Sequence, residues 1–230
     1  MRRILVLAAA LGTTASLNAQ LHEKIIIKAG ENVGEAISPT GFYRLPQFTE
    51  GTFALKDGTK AKARFNYHIG NGEMEYISMK GDTMAVGVPE EIEIISIGEN
   101  VRYIYNNRAY LEIIADKKPA KLAKKIKIII ENDRKGGYGE SAPASSQINY
   151  KNFTLSTGLL QLTHDLAIVK TTSYFWVDDK HNLQPANKKN SLKLVSKDKQ
   201  AKLEAFIQEN GINFNKEDDL IRLLHHAETL

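Results

Sequence analysis

The chain has 230 residues, no cysteine, and a formal net charge of +4 from 31 Lys and Arg against 27 Asp and Glu. That length supports one large domain or two small ones with a real hydrophobic core. The missing cysteine excludes disulfides, thiolate nucleophiles, Cys-ligated zinc and a lipid-bearing cysteine behind an export signal.

The first element in chain order is Arg2-Arg3, followed by an apolar run from Ile4 to Leu11 and a small or polar tail from Gly12 to Ala19-Gln20. A positive start, a short apolar stretch and a small residue at the junction predict a secretory signal peptide over residues 1–19, cleaved between Ala19 and Gln20. The run is too short to cross a bilayer, and no later one reaches about 20 residues, so no transmembrane helix is expected after the signal. The expectation is an exported protein, periplasmic or at the cell surface, with residues 20–230 forming a single β-rich domain. Every Asp and Glu lies after Gln20, so removing Arg2 and Arg3 from the +4 leaves only +2.

From Glu23 to about Glu131 short β-rich runs alternate with turn residues. Strands are predicted at Lys24–Lys28, Thr52–Leu55, Lys60–Tyr67, Glu73–Met79, Met84–Val88, Ile92–Ile97, Val101–Tyr105, Tyr110–Ala115 and Lys125–Ile130. Asp57-Gly58 has the chemistry of a two-residue hairpin turn with positive φ at both positions, and Gly81-Asp82 and Asn106-Asn107 resemble it. Glu73 and Glu75 alternate with Met74 and Tyr76, and Glu91-Ile92-Glu93-Ile94 repeats the pattern, so one face should be wet and the other dry. Ile126–Ile130 is apolar on both parities and should be a central strand.

Gly136, Gly137, Gly139 and the Ser141–Ser146 stretch interrupt this pattern, predicting a long flexible loop over 132–149, either a plain insertion or a functional loop. Strands resume at Leu159–Thr163, Leu166–Thr171 and Tyr174–Asp178. A helical segment occupies 187–230, with a brief turn at Leu192 and Leu194, a helix from Lys197 to Glu209 capped by Ser196 and stopped by Gly211, and a helix from Lys216 to about Ala227 capped by Asn215. The expected fold is mainly β with C-terminal helices (α+β): an antiparallel β meander, sandwich or barrel-like sheet closed by two short helices.

No motif names a reaction. The helix pair around Gly211 has a helix-turn-helix outline, but from Asn187 onward eight Lys or Arg face seven acids, which offers little to a phosphate backbone, and no nucleic-acid partner is expected. The lysines at 117, 118, 121, 124, 125 and 127 lack the Arg and aromatic residues of a nucleic-acid footprint. Lys121, Lys124 and Lys125 are candidates for an anionic partner, or a solvated face. Asp178, Asp179 and His181 place two carboxylates and an imidazole at a strand end, a candidate metal site or a plain Asp-started turn. Gly139-Glu140-Ser141-Ala142-Pro143 has proline where a nucleophile elbow needs glycine, so no catalytic residue is assigned. Phosphate-cradling glycine loops are missing and no cofactor is expected. Tyr174 and Trp176 share one face of a strand, suited to stacking on sugar or peptide or to core packing.

The block Ala63-Arg64-Phe65-Asn66-Tyr67, Gly72-Glu73-Met74-Glu75-Tyr76-Ile77, Gly81-Asp82-Thr83 and Pro89-Glu90-Glu91-Ile92 resembles exported proteins of Bacteroidota whose function is uncharacterised. The stretches Asn187–Leu194 and Phe214–Ile221 are similar to the end of the same kind of protein. The resemblance implies compartment and lineage, with no catalytic residues to carry over. It also implies a short Asp-Ser/Thr-apolar O-glycosylation site at Asp82-Thr83-Met84, with Thr83 as the acceptor. The reading is an exported, non-catalytic binding or interaction protein of the cell envelope, with an envelope protein or glycan as partner and the strand edges and the Asn132–Asn149 loop as the expected contact surfaces. A periplasmic hydrolase acting on glycans or peptides and a structural subunit of an envelope complex are the alternatives.

Overall fold

A computed structural model gives the fold, described over residues 23–31, 42–132 and 165–230. The predicted signal peptide, nearly all of the predicted 132–149 loop and the predicted Leu159–Thr163 strand lie outside the described residues.

Eleven strands form one antiparallel sheet: β1 (Glu23–Ile27), β2 (Thr49–Leu55), β3 (Lys60–His68), β4 (Glu73–Ile77), β5 (Thr83–Ala85), β6 (Ile92–Ile97), β7 (Val101–Asn106), β8 (Ala109–Asp116), β9 (Lys121–Asn132), β10 (Leu166–Val177) and β11 (Leu183–Pro185). The spatial order is β1-β10-β9-β8-β7-β6-β2-β3-β4-β5, with β11 also on β10. Strands β2 to β5 form one meander and β6 to β10 a second, and the two join where β6 returns to lie against β2. The path ends on β1 and β5 without pairing them, so the sheet is not a closed barrel. Strand β9 lies between β8 and β10, the interior place predicted from its apolar run. The two runs predicted around Thr171 to Ser173 are one strand, because β9 pairs them without a break.

Following the register, one face carries Tyr67 of β3, Ile95 of β6, Tyr103 of β7 and Ile126 of β9. Strands β3 and β7 are three positions apart, about 14 Å in a flat sheet. The Tyr67 and Tyr103 rings are nevertheless 5.1 Å apart. The sheet therefore curls until its two meanders face each other across the cluster that contains Phe65, Tyr67, Met74, Ile95, Tyr103 and Tyr110.

The far end of the same face is covered by helices. A short helix α1 (Lys188–Ser191) and a 3₁₀ turn at Leu192–Leu194 lead to α2 (Gln200–Glu209) and α3 (Glu217–Thr229). Leu203, Ile207, Leu220, Leu223 and Leu224 pack on Leu122 and Trp176. The helix pair thus spends its apolar faces on the sheet. Gly211 ends α2 at φ +56°, where Ile212 N–H reaches the Ile207 carbonyl and the buried Ile212 side chain seals the turn. No helix among the described residues is long and apolar enough to cross a membrane.

Several local expectations are corrected. Ser196 does not cap α2 with its side chain: it precedes a 3₁₀ first turn (Lys197–Lys199) and makes no side-chain cap bond. Asn215 does not cap α3: Lys216 holds that position without a side-chain bond, and Asp219 inside the helix accepts from the Asn213 N–H at 2.9 Å instead. At Asp57-Gly58 only Gly58 has positive φ. The Leu55 N–H bonds the Thr59 carbonyl and Asp57 accepts from Thr59 N–H, a longer turn with glycine in its left-handed place. Glu75 is not on a wet face; it is 9% exposed because the segment around Tyr43 covers it and the Tyr43 hydroxyl donates to it at 2.6 Å.

Candidate functional site

The sheet opens between β6 and β7. The β6–β7 ladder runs from Ile97↔Val101 to Ile95↔Tyr103 and stops, although β7 continues to Asn106 and β6 begins at Ile92. On its other side β6 pairs Ile94 with Ala54 but Ile92 with Leu55, so Glu93 is an extra residue. Such a bulge bends its strand and increases its twist. Pro89–Glu91 enters β6 as a 3₁₀ turn, and beyond Tyr103 strand β7 pairs only with β8. The parted strands border a cleft of about 820 Å³ lined by Lys56, Glu90, Ile92, Glu93, Ile104, Tyr105, Asn106, Asn107, Arg108 and His181.

The walls are conformationally unusual. Asn107 (φ 49°), Arg108 (φ 58°) and His181 (φ 61°) are the non-glycine residues with positive φ among the described residues, and all three line this cleft. Asn107-Arg108 is a two-residue turn between paired Asn106 and Ala109, one position later than the sequence reading placed it. Both central residues of such a turn need positive φ, and the second is normally glycine. An L-residue with a Cβ costs roughly 1–2 kcal/mol there. His181 is held by its neighbours: its N–H bonds the Asp178 carbonyl at 2.9 Å, and the Asn106 amide donates to its carbonyl at 2.6 Å. Strain of this kind concentrates where it positions a side chain for a ligand.

The charges are mixed and open. Lys56 donates from Nζ to the Glu90 carbonyl at 2.7 Å, which tethers the 3₁₀ turn and leaves the Glu90 carboxylate uncommitted. Among the described residues no ion pair within 4.0 Å involves Glu90, Glu93 or Arg108. Burial, and then the charge of Glu90, push the Tyr105 hydroxyl above its ordinary pKa, while Arg108 pulls the other way. Tyr105 therefore lies in the field of both. Behind it, edge-on at 4.9 Å, is Tyr110, whose buried hydroxyl has no hydrogen-bond partner among the described residues.

A second set of charges sits in the seam between the curled sheet and the helices. Arg44 grips Glu112 with two hydrogen bonds at 2.8 and 2.9 Å, the Tyr103 hydroxyl donates to Glu112 at 3.2 Å, and Lys124 lies 3.4 Å from Glu112 and 3.0 Å from Glu217 of α3. Burial alone would raise the Glu112 pKa, but Arg44 and Lys124 together hold it below the ordinary carboxylate value. Every member is matched within the fold.

This arrangement places the residues singled out from sequence. Lys124 belongs to the seam, and Lys121 pairs with Asp116 at 3.6 Å. Lys125 is half-buried, with its pKa lowered by burial and by Lys127. Trp176 is 3% exposed and its indole N–H donates to the buried Ser191 hydroxyl at 2.9 Å, so it serves the core. Tyr174 is half-buried against the helices, its hydroxyl pushed up to about 12 by burial beside Glu217 and Asp218. The Asp178 carboxylate accepts from Lys180 N–H, Asn182 N–H and the Asn182 amide, the Asp-started turn already weighed for it. No group of three or more His, Asp or Glu suited to a metal ion occurs among the described residues, and His181 lines the cleft, its carbonyl accepting from the Asn106 amide. Thr83 is exposed on β5.

Of the cleft residues, the sequence reading singled out His181 alone. The signal for the rest is a non-glycine pair, Asn107-Arg108, in a turn too tight to suit arginine. Comparison with protein-family models, curated proteins and solved structures found no match.

Proposed function

We propose that the protein is exported and serves the cell envelope as a non-catalytic binding or interaction protein, taking its ligand in the β6–β7 cleft. The observation that carries this reading is the convergence of Asn107, Arg108 and His181 in left-handed backbone on one cleft that also holds unpaired Glu90, Glu93 and Arg108. A fold gains nothing from arginine at φ 58°, whereas a binding site gains an aimed guanidinium. Export rests on Arg2-Arg3, the Ile4–Leu11 run and the Ala19-Gln20 junction. Thr83, exposed beside Asp82 and Met84, remains the proposed O-glycosylation position, checked by mass spectrometry of the exported protein and its Thr83→Ala variant.

The test is titration of ¹⁵N-labelled protein from residue 20 onward with fractions of an envelope extract. Shifts at the Asn107, Arg108 and His181 amides in at least one fraction are expected, and silence at all three across every fraction overturns the reading.

One observation favours hydrolysis as a second reading: two carboxylates, Glu90 and Glu93, line the same cleft, and glycoside hydrolysis uses such a pair. Both come from the β6 side, where acid and base would have to flank the scissile bond from one wall. Release of reducing ends from envelope glycans, abolished in Glu90→Gln and Glu93→Gln, would select this reading over binding.

A further inference from the structure

Resting on the assignment of the β6–β7 cleft as a binding site, we infer that its ligand is a zwitterion, a short peptide with free amino and carboxyl termini. The two walls differ in charge: two acids and one lysine, whose ammonium is held on the Glu90 carbonyl, stand on one side and an arginine on the other. Glu90 and Glu93 come from the 3₁₀ turn and bulge that begin β6, and Arg108 from the turn between β7 and β8. Neither acid forms an ion pair with the guanidinium within 4.0 Å, so the walls do not neutralise each other directly.

The choice of ligand follows from what each alternative leaves exposed to the wrong charge. An anion seated on Arg108 alone would share the cleft with two carboxylates, and a cation seated on the acids alone would share it with a guanidinium. A neutral glycan would use none of the three. A peptide places its terminal carboxylate on Arg108, which can grip it with two parallel N–H donors, and its terminal ammonium between the acids. Tyr105 lines the same cleft, and its half-buried ring offers an apolar surface to the middle of the peptide. A cleft of about 820 Å³ falls in the range that encloses a ligand of this size. Arginine, held at a backbone position where glycine is easier, is the residue that makes the site read the carboxyl end.

Four forms of trialanine test this: free, N-acetylated, C-amidated and blocked at both ends, titrated by calorimetry and by amide shifts at Asn107, Arg108 and His181, with maltotriose as a neutral glycan probe. The free peptide should bind, and blocking either end should weaken it about tenfold or more, the loss of one charge-assisted contact. Arg108→Gly, which suits the local backbone, should bind free and amidated peptide equally while still preferring a free amine. Glu90→Gln/Glu93→Gln should lose the preference for the amine and keep that for the carboxylate. Equal affinity for all four peptides overturns the inference. So does the pattern in which maltotriose or an envelope fraction shifts the cleft amides and the peptides do not, which leaves the binding site itself standing. If nothing shifts those amides, the site assignment falls and this inference with it.

Discussion

Two regions of this protein are built from nearly the same charges and treat them in opposite ways. In the seam, Arg44 and Lys124 meet Glu112 and Glu217 at 2.8 to 3.4 Å beneath the helices. In the cleft, Arg108 and Lys56 share a wider space with Glu90 and Glu93, and among the described residues neither carboxylate forms an ion pair within 4.0 Å. The difference comes from the backbone. The seam lies where the ladders continue across every strand from β7 to β10, the one register shift in β8 falling beyond Ile113, and they fix Tyr103, Glu112, Lys124 and Tyr174 in one cross-strand row. The cleft is the place where a ladder stops after a bulge. Charges brought together by sheet register become structure, and charges held apart by a parted ladder remain available to a ligand.

Removing one seam member should produce the largest effect. Glu112→Ala leaves Arg44 and Lys124 partly buried without their shared carboxylate, and should cost about 3–5 kcal/mol of unfolding free energy, whereas Glu93→Ala in the cleft should stay within about 0.5 kcal/mol. Urea denaturation of the pair reads both, and equal losses would erase the distinction between the regions. Acid gives the same contrast without truncation. Because the Glu112 pKa is lowered in the fold, its contribution is complete above the ordinary carboxylate value and is lost as pH falls from there through the lowered folded value. Stability measured from about pH 6 to about pH 3 should fall less steeply in Glu112→Gln than in the wild type.

A smaller effect is expected at the other end of the helical layer. Trp176→Phe deletes the donor that satisfies the fully buried Ser191 hydroxyl and should cost about 1–3 kcal/mol. It should leave the response of the cleft amides to envelope fractions intact. A variant that folded normally but lost that response would move the binding surface to the helices.

These contrasts also show which parts of the molecule were legible in the sequence. Strand positions were, because Lys60–Tyr67 or Ile92–Ile97 needs only local alternation and a turn at each end. The C-terminal helices were legible for the same reason, with Gly211 marking the stop between them. Coverage was not: Glu75 reads as solvated in its own strand and is buried by Tyr43, a residue 32 positions away. Caps failed where local order shifts by one residue, as at Asn215: Lys216 takes the cap position without a side-chain bond, and Asp219 inside the helix instead fixes the Asn213 N–H of the preceding turn. The cleft was illegible because it depends on one extra residue in β6 opposite β2, a pairing between strands that the chain separates by β3 to β5. Only its strain leaves a trace in the sequence, in the arginine that follows Asn107.

That arginine gives the comparison its sharpest test with a gain in stability. Arg108→Gly removes a Cβ from left-handed backbone and should stabilise the fold by about 1 kcal/mol, raising the urea midpoint while abolishing discrimination for a carboxylate. A destabilised variant would mean that the guanidinium is part of the structural charge set after all.

The smallest effect isolates what pairing alone contributes. Lys188 and Glu204 meet at 2.7 Å, closer than any contact Lys124 makes in the seam, but their side chains are 46% and 43% exposed. Water already solvates both charges and salt screens them, so Glu204→Gln should change stability by no more than about 0.5 kcal/mol. A double-mutant cycle with Lys188→Met, run in low and high salt, measures the coupling directly. If this exposed pair couples as strongly as Arg44 with Glu112, short distance and not burial sets the energy of the seam, and the open charges of the cleft lose their standing as a separate class.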